Sequence, residues 1–266
     1  MENLGKLAVV PEENGHARVN GINLYYEVYG AGTPLVLIHG GGSTIETTFG
    51  TIIPMLVQHR MLIAVELQAH GRTDDRNQDL SFEQDADDVA ALLKQLGIEK
   101  AEIFGFSNGA TTAVQVAIRH PQLVSKLVLA SPLFKRAGMP AGFWDFMKNA
   151  SLDNMPQQLK AGFLAVMSDS EKLQTMHDRD VKRMLNFKDI PDEDIRSVKA
   201  PALVIVGDKD VIKPEHALEM SRLMERAELA IIPGVHGEYI GEVTTLETGS
   251  NQAQLVLPMI LHFLEK

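Results

Sequence analysis

Gly105-Phe106-Ser107-Asn108-Gly109 stands where an apolar run, Ala101 to Phe106, gives way to a helical pattern, Gly109 to His120. A serine at such a turn is held in a strained backbone conformation with its hydroxyl pushed out of the sheet. A glycine two residues to either side is required, because a Cβ there would collide with the neighbouring strand or helix. The pentapeptide reads as a nucleophile elbow.

Upstream of it, Ala17 to Tyr29 reads as two strands around Asn20-Gly21, a pair that supplies the positive φ angles of a tight hairpin. Pro34 to Ile38 is a continuous apolar run that suits a strand covered on both faces, and it ends in His39-Gly40-Gly41-Gly42. Met61 to Val65 is another such strand, and Ser81 to Leu96 is a helix opened by a capping box of Ser81 and Gln84. Downstream, strands recur at Lys126 to Ala130, Ala202 to Val206 and Leu229 to Ile232. Strands alternating with helices imply right-handed crossovers, and so an α/β fold with a mostly parallel eight-stranded sheet flanked by helices.

The alternation breaks between Pro132 and Val198, where the pattern is helical throughout. The expectation is a helical cap at residues 134–198 inserted in a body formed by 1–133 and 199–266. From Phe134 to Val198 ten basic residues match ten acidic ones, so the net charge of −10 belongs to the body. Six of the twelve methionines (139, 147, 155, 167, 176, 184) fall in this segment. Flexible thioethers suit a surface that fits irregular apolar ligands, although they also serve simply to pack helices together.

With 25 Lys and Arg against 35 Asp and Glu, and no basic run, nucleic acid is a poor partner. No stretch approaches the ~20 apolar residues of a membrane span, and Met1-Glu2-Asn3-Leu4-Gly5-Lys6 lacks a basic region followed by an apolar one. The chain is therefore expected to be cytoplasmic, with no membrane partner. The absence of cysteine removes disulfides, thiolate metal sites and a cysteine nucleophile. No two histidines stand at i, i+4 with a nearby carboxylate, so no metal is expected.

A serine hydroxyl is a weak nucleophile that needs a base within reach and a third group to orient that base. Gly207-Asp208-Lys209-Asp210 follows one strand and Pro233-Gly234-Val235-His236-Gly237 follows the next. Ser107, an aspartate and His236 thus occur in an order and at strand ends that suit such a relay.

These residues together resemble the α/β-hydrolase superfamily from about Val19 to the C-terminus. The resemblance implies the second aspartate, Asp210, as the acid, with Asp208 the alternative, and Ser107 and His236 as nucleophile and base. Asp210 would otherwise read as a helix cap before Pro214. It also implies an oxyanion hole from the N–H groups of Gly41 and Asn108, with Gly42 able to replace Gly41. His39 and His70 read as structural. The common D-x-R-G-x-G segment departs here at three positions of Glu66-Leu67-Gln68-Ala69-His70-Gly71, which puts that loop in doubt but not the triad.

The implied activity is a serine carboxylic ester hydrolase that opens a small-molecule ester or lactone through an acyl-enzyme, without a cofactor. His39-Gly40-Gly41-Gly42-Ser43-Thr44, the elbow and the methionine-rich cap look most like the small bacterial esterases that include macrolide esterases, which open lactone antibiotics and confer resistance. Carbon–carbon bond hydrolases and perhydrolases share the triad, and a hydrolase-fold ligand receptor with slow turnover is the alternative from another class. Phe143, Trp144, Phe163 and Met184 are expected to contact substrate from the cap.

Overall fold

A computed structural model describes residues 9–266, apart from the side chains of 247 and 248; the opening Met1 to Lys6 segment read above lies outside the described residues. Eight strands form a single sheet: β1 (Glu13–Val19), β2 (Ile22–Tyr29), β3 (Pro34–Ile38), β4 (Met61–Val65), β5 (Ala101–Phe106), β6 (Val124–Ala130), β7 (Ala202–Gly207) and β8 (Ala227–Ile232). Their spatial order is β1-β2-β4-β3-β5-β6-β7-β8. β2 runs antiparallel to β1 and β4, and all other neighbours are parallel. The β1–β2 hairpin closes at Val19 and Ile22 through Asn20 and Gly21, both at positive φ (41° and 90°).

Among the described residues ten α-helices flank or overlie this sheet: α1 (Ile45–Phe49), α2 (Ile53–Leu56), α3 (Phe82–Gln95), α4 (Asn108–Arg119), α5 (Phe143–Lys148), α6 (Gln157–Val166), α7 (Ser170–Leu185), α8 (Asp192–Ser197), α9 (Pro214–Leu223) and α10 (Gln252–Glu265). Period-two alternation sends successive strand residues into two separate cores. Val36, Ile38, Ile103, Leu129 and Val204 pack against α3, α4 and α9. Leu35, Leu37, Phe104, Val128 and Ile205 pack against α1, α2 and α10. Both faces being covered explains why the central strands are apolar without alternation. α3 is capped by Ser81, whose side chain accepts from the N–H of Gln84. The reciprocal half of the expected box is absent because the Gln84 amide turns to Asp88 at 2.9 Å.

The segment between β6 and β7 carries α5 to α8. Its two ends pack on the body. Phe134 is buried and stacks on His216 with ring centroids 4.3 Å apart, while Ile195 and Val198 join the core around α4 and α9. The part that stands over the sheet edge is thus shorter than residues 134–198. α6 comes so close to α1 that a Cβ on Gly162 would strike Thr47. α7 is tied to the loop before α3 through Arg179, whose guanidinium reaches Asp75 at 2.9 Å and Asn77 at 3.0 Å.

The divergent loop after β4 is held by its own substitutions. Glu66 is fully buried, where burial pushes its carboxyl up to about 8, and it accepts the backbone N–H of Arg72 at 2.7 Å. Ala69 takes a left-handed φ of 64°. Among the described residues no helix is long and apolar enough to cross a membrane.

Candidate active site

Ser107, Asp210 and His236 follow β5, β7 and β8 at the carboxyl edge of the parallel sheet, the edge where open α/β sheets present their sites. Ser107 has φ 54° and ψ −119°, a conformation that costs of order 1–3 kcal/mol and must be imposed by its surroundings. The imposition is visible in the flanking glycines. A Cβ on Gly105 would collide with the backbone of Gly109, and one on Gly109 would collide with the carbonyl of Ile38. The turn therefore presses directly against β3.

His236 Nε2 lies 3.0 Å from Ser107 Oγ, and His236 Nδ1 lies 2.6 Å from Asp210 Oδ1. Because a carboxylate only accepts, Nδ1 carries the proton and Nε2 is free to take one from serine. Burial opposes charge on His236, but Asp210 outweighs it and holds the ring above its ordinary 6.5. Asp210 is held below the usual carboxylate range although burial pushes the other way; His236, the Ile212 N–H and Ser131 stabilise its ionised form. The Phe106 ring lies 4.7 Å from the imidazole between centroids and limits how far it can swing.

Ser131 is a member of this group that sequence reading did not single out. It sits just past β6 at a positive φ of 53°, and its Oγ donates to Asp210 Oδ2 at 2.6 Å while lying 2.5 Å from the Tyr239 hydroxyl. A serine at the end of an apolar strand was its sole signal. Asp208 is exposed and takes no part in the relay. Its Oδ1 accepts the N–H of Gly234 at 2.7 Å.

The N–H of Gly42 donates to Asp180 Oδ2 at 2.5 Å and is thereby occupied. No such bond holds the N–H of Gly41 or Asn108 among the described residues, and both residues line the cleft beside Ser107. His39 is structural in its contacts: its Nδ1–H donates to Gly40 O at 2.7 Å, its Nε2 accepts from Leu67 N–H at 3.0 Å, and burial pushes it down to about 3. His70 is also buried but is bonded to Asp180 of α7 at 2.9 Å.

A cleft of about 280 Å³ opens over Ser107. Met139, Phe143, Met147, Met155, Met176 and Met184 supply much of its wall, so five of the six methionines noted in this segment face it. Two expected contacts are corrected. Phe163 is fully buried against Leu173 and Met176, where it fills the small core between α6 and α7. Trp144 lies off the cleft wall, with its indole N–H donating to Arg136 O at 3.1 Å and the Arg136 guanidinium 3.6 Å above its ring. Both rings satisfy packing needs of the insert that residue type alone did not reveal. Among the described residues lining the cleft there is no lysine or arginine, and Asp180 is its one carboxylate.

Known proteins agree with this architecture. A family model described as the alpha/beta hydrolase fold matches residues 33–186. The AB hydrolase superfamily protein YisY of Bacillus subtilis is 28% identical over 242 residues, covering 78% of this chain and 86% of its own length. A 2-hydroxy-6-oxo-2,4-heptadienoate hydrolase of Pseudomonas putida is 26% identical, covering 79% of this chain and 84% of its own. Among solved structures, Est816, described as an N-acyl homoserine lactone degrading enzyme, superposes with a TM-score of 0.68 at 25% identity, over 88% of this chain and 99% of its own.

Proposed function

Since the chain belongs to the alpha/beta hydrolase fold family, we propose that it is a serine hydrolase cleaving an uncharged, largely apolar carboxylic ester or lactone through an acyl-enzyme. One observation carries this reading: the hydrogen-bonded series Ser107, His236, Asp210 opens into an apolar cleft without a lysine or arginine.

Ser107 Oγ attacks the carbonyl carbon as His236 Nε2 takes its proton, and Asp210 stabilises the imidazolium that forms. The N–H groups of Gly41 and Asn108 receive the oxyanion; loss of one such donor costs about 3 kcal/mol of transition-state stabilisation. Collapse of the tetrahedral intermediate expels the alkoxide, which leaves with the proton from His236. Water, deprotonated by the same nitrogen, then attacks the acyl carbon and releases the acid, restoring Ser107. In a lactone the alcohol and acid remain one molecule.

A carbon–carbon hydrolase is the second reading, favoured by the Pseudomonas relative. A dienoate carries a carboxylate, and an apolar cleft with no cation gives that charge no partner, which disfavours its burial. The volume lies just below the roughly 300–1,000 Å³ usual for ligand pockets, so a compact ester or simple lactone fits better than a sugar-bearing macrolide.

A hydrolysis screen by mass spectrometry over acyl esters of graded length, simple lactones, a macrolide and a dienoate tests the reading. Turnover of neutral esters or lactones is expected. Turnover confined to the dienoate, or ligand binding with negligible turnover of any substrate, overturns it. Ser107→Ala should abolish both turnover and covalent labelling by a fluorophosphonate.

A further inference from the structure

α7 places a carboxylate against the glycine loop. The apolar spacing Leu173, Met176, Met184 is interrupted by Asp180, one turn from each methionine, and all four residues are buried. A charge on the buried stripe of an amphipathic helix needs partners. Asp180 has them on the body: Oδ2 accepts the N–H of Gly42 at 2.5 Å and the ring N–H of His70 at 2.9 Å, and Oδ1 meets Arg183. The other nitrogen of His70 lies 2.8 Å from the carbonyl oxygen of Gln68. Carbonyl and carboxylate oxygens only accept, so both ring nitrogens carry protons and His70 is an imidazolium. Arg183 in turn donates to the buried Asp85 at 2.7 Å.

A carboxylate alone beside an oxyanion hole would oppose the charge that develops there. Here two cations, His70 and Arg183, flank Asp180, and Asp85 balances the second. The group sums to zero. What remains directed at the glycine loop is a strong, charge-assisted acceptor for one backbone N–H.

We propose that Asp180 is a positioning residue for acyl transfer: by gripping the N–H of Gly42 from the inserted helix, it keeps the adjacent Gly41 N–H in place for the oxyanion. Acylation then requires α7 to be seated. This rests on the assignment of Ser107 as nucleophile made above.

The test measures phosphonylation of Ser107 by a fluorophosphonate, which needs no knowledge of the natural substrate, together with the Ki of a short alkylboronic acid and the KM and kcat for a short acyl ester. In Asp180→Asn, labelling should slow about 10- to 100-fold, somewhat less than the 10²–10³ of losing an oxyanion donor outright. The boronic acid Ki should rise by a similar factor while KM stays within about threefold, since the ester ground state does not use the hole. Arg179→Gln removes a partly exposed ion pair of the same helix while Asp180 and Arg183 keep α7 seated on Gly42 and Asp85, and should label within about twofold of the wild type. Asp180→Glu keeps the charge but displaces it, and carries the same expectation where the asparagine variant does not fold. Wild-type labelling in the Asp180 variants, or equal slowing in Arg179→Gln, overturns the positioning role. A wild-type protein that takes no label overturns instead the serine-hydrolase reading beneath it.

Discussion

Asp208 Oδ1 accepts the backbone N–H of Gly234 at 2.7 Å, which ties the turn after β7 to the loop that carries His236. The two loops are in such close approach that a Cβ on Gly207 would strike the carbonyl of Gly234. Two aspartates in one turn are thereby separated by role, Asp208 holding backbone and Asp210 holding imidazole. Asp210→Asn should lower kcat about 10⁴-fold by favouring the wrong histidine tautomer. Asp208→Asn, exposed and remote from the ring, should lose less than about tenfold, since an amide oxygen still accepts from Gly234. Steady-state kinetics on one ester decides between them, and the reverse order of effects would move the acid to Asp208.

The pH dependence of kcat/KM follows from the same pair. His236 must be neutral to accept the Ser107 proton, and Asp210 holds its pKa above 6.5 against the opposing effect of burial. Activity should therefore rise with pH through a limb lying above 6.5. In Asp210→Asn the larger of the two carboxylate influences is gone and burial is opposed only by the weaker pull of Glu242, so the residual activity should show its limb displaced to lower pH. A limb that stays in place in the variant would assign it to another group.

Much of this arrangement was legible in the sequence because it is dictated by backbone geometry. The elbow at Ser107 needs glycines at 105 and 109, and Asn20-Gly21 needs its positive φ angles, so residue identity reports conformation directly. The bilateral burial of β3 is likewise written as an unbroken apolar run, and that of β5 as a run broken only by Glu102, which pairs with Arg60. Long-range polar pairing is not. Asp180 and His70 are 110 residues apart, and nothing local says that they meet. The interruption of the Leu173, Met176, Met184 spacing by a carboxylate was the available signal. Trp144 and Phe163 were misplaced for a related reason, since a large ring on a short helix fits a cleft or a core equally well until neighbouring helices are packed.

The His70–Asp180 pair should make stability depend on pH in the neutral range. The folded pKa of His70 is raised, because the Asp180 carboxylate outweighs the burial that acts to lower it. A raised value means that its stabilisation is fully present below about 6.5 and is lost as the pH rises through the folded pKa. Asp180 is held well below the ordinary carboxylate range by Arg183 and His70 against burial, so its own contribution persists through neutrality and fades only in acid. The Tm gap between wild type and Asp180→Asn should accordingly be widest near pH 5.5 and narrow toward pH 9.5. A gap that is constant or widens would contradict an imidazolium at position 70.

Ala69 occupies a left-handed conformation, φ 64°, that glycine adopts without a steric penalty. Ala69→Gly should stabilise the fold by up to about 1 kcal/mol, the relief of Cβ strain being partly offset by greater freedom of the unfolded chain. Chemical denaturation measures it, and a loss of stability would show that the alanine methyl makes a packing contribution larger than its strain.

The last prediction separates cleft wall from packing within the insert. Phe143 and Met184 face the cleft, whereas Trp144 stands edge-on to Phe143, 5.0 Å between ring centroids, and is gripped by Arg136 on the other side. Phe143→Ala or Met184→Ala should change the ratio of kcat/KM between a bulky and a short acyl ester by about tenfold, equivalent to ~1.4 kcal/mol of differential transition-state binding. Trp144→Ala should instead lower the Tm and leave that ratio within about threefold, because the indole touches Arg136 and not the acyl group. Kinetics on two esters and one melting curve per variant suffice. If Trp144→Ala shifts the ratio as strongly as Phe143→Ala without destabilising the protein, the indole reaches the substrate in a conformation of α5 different from the one described, and the wall of the cleft must be drawn to include it.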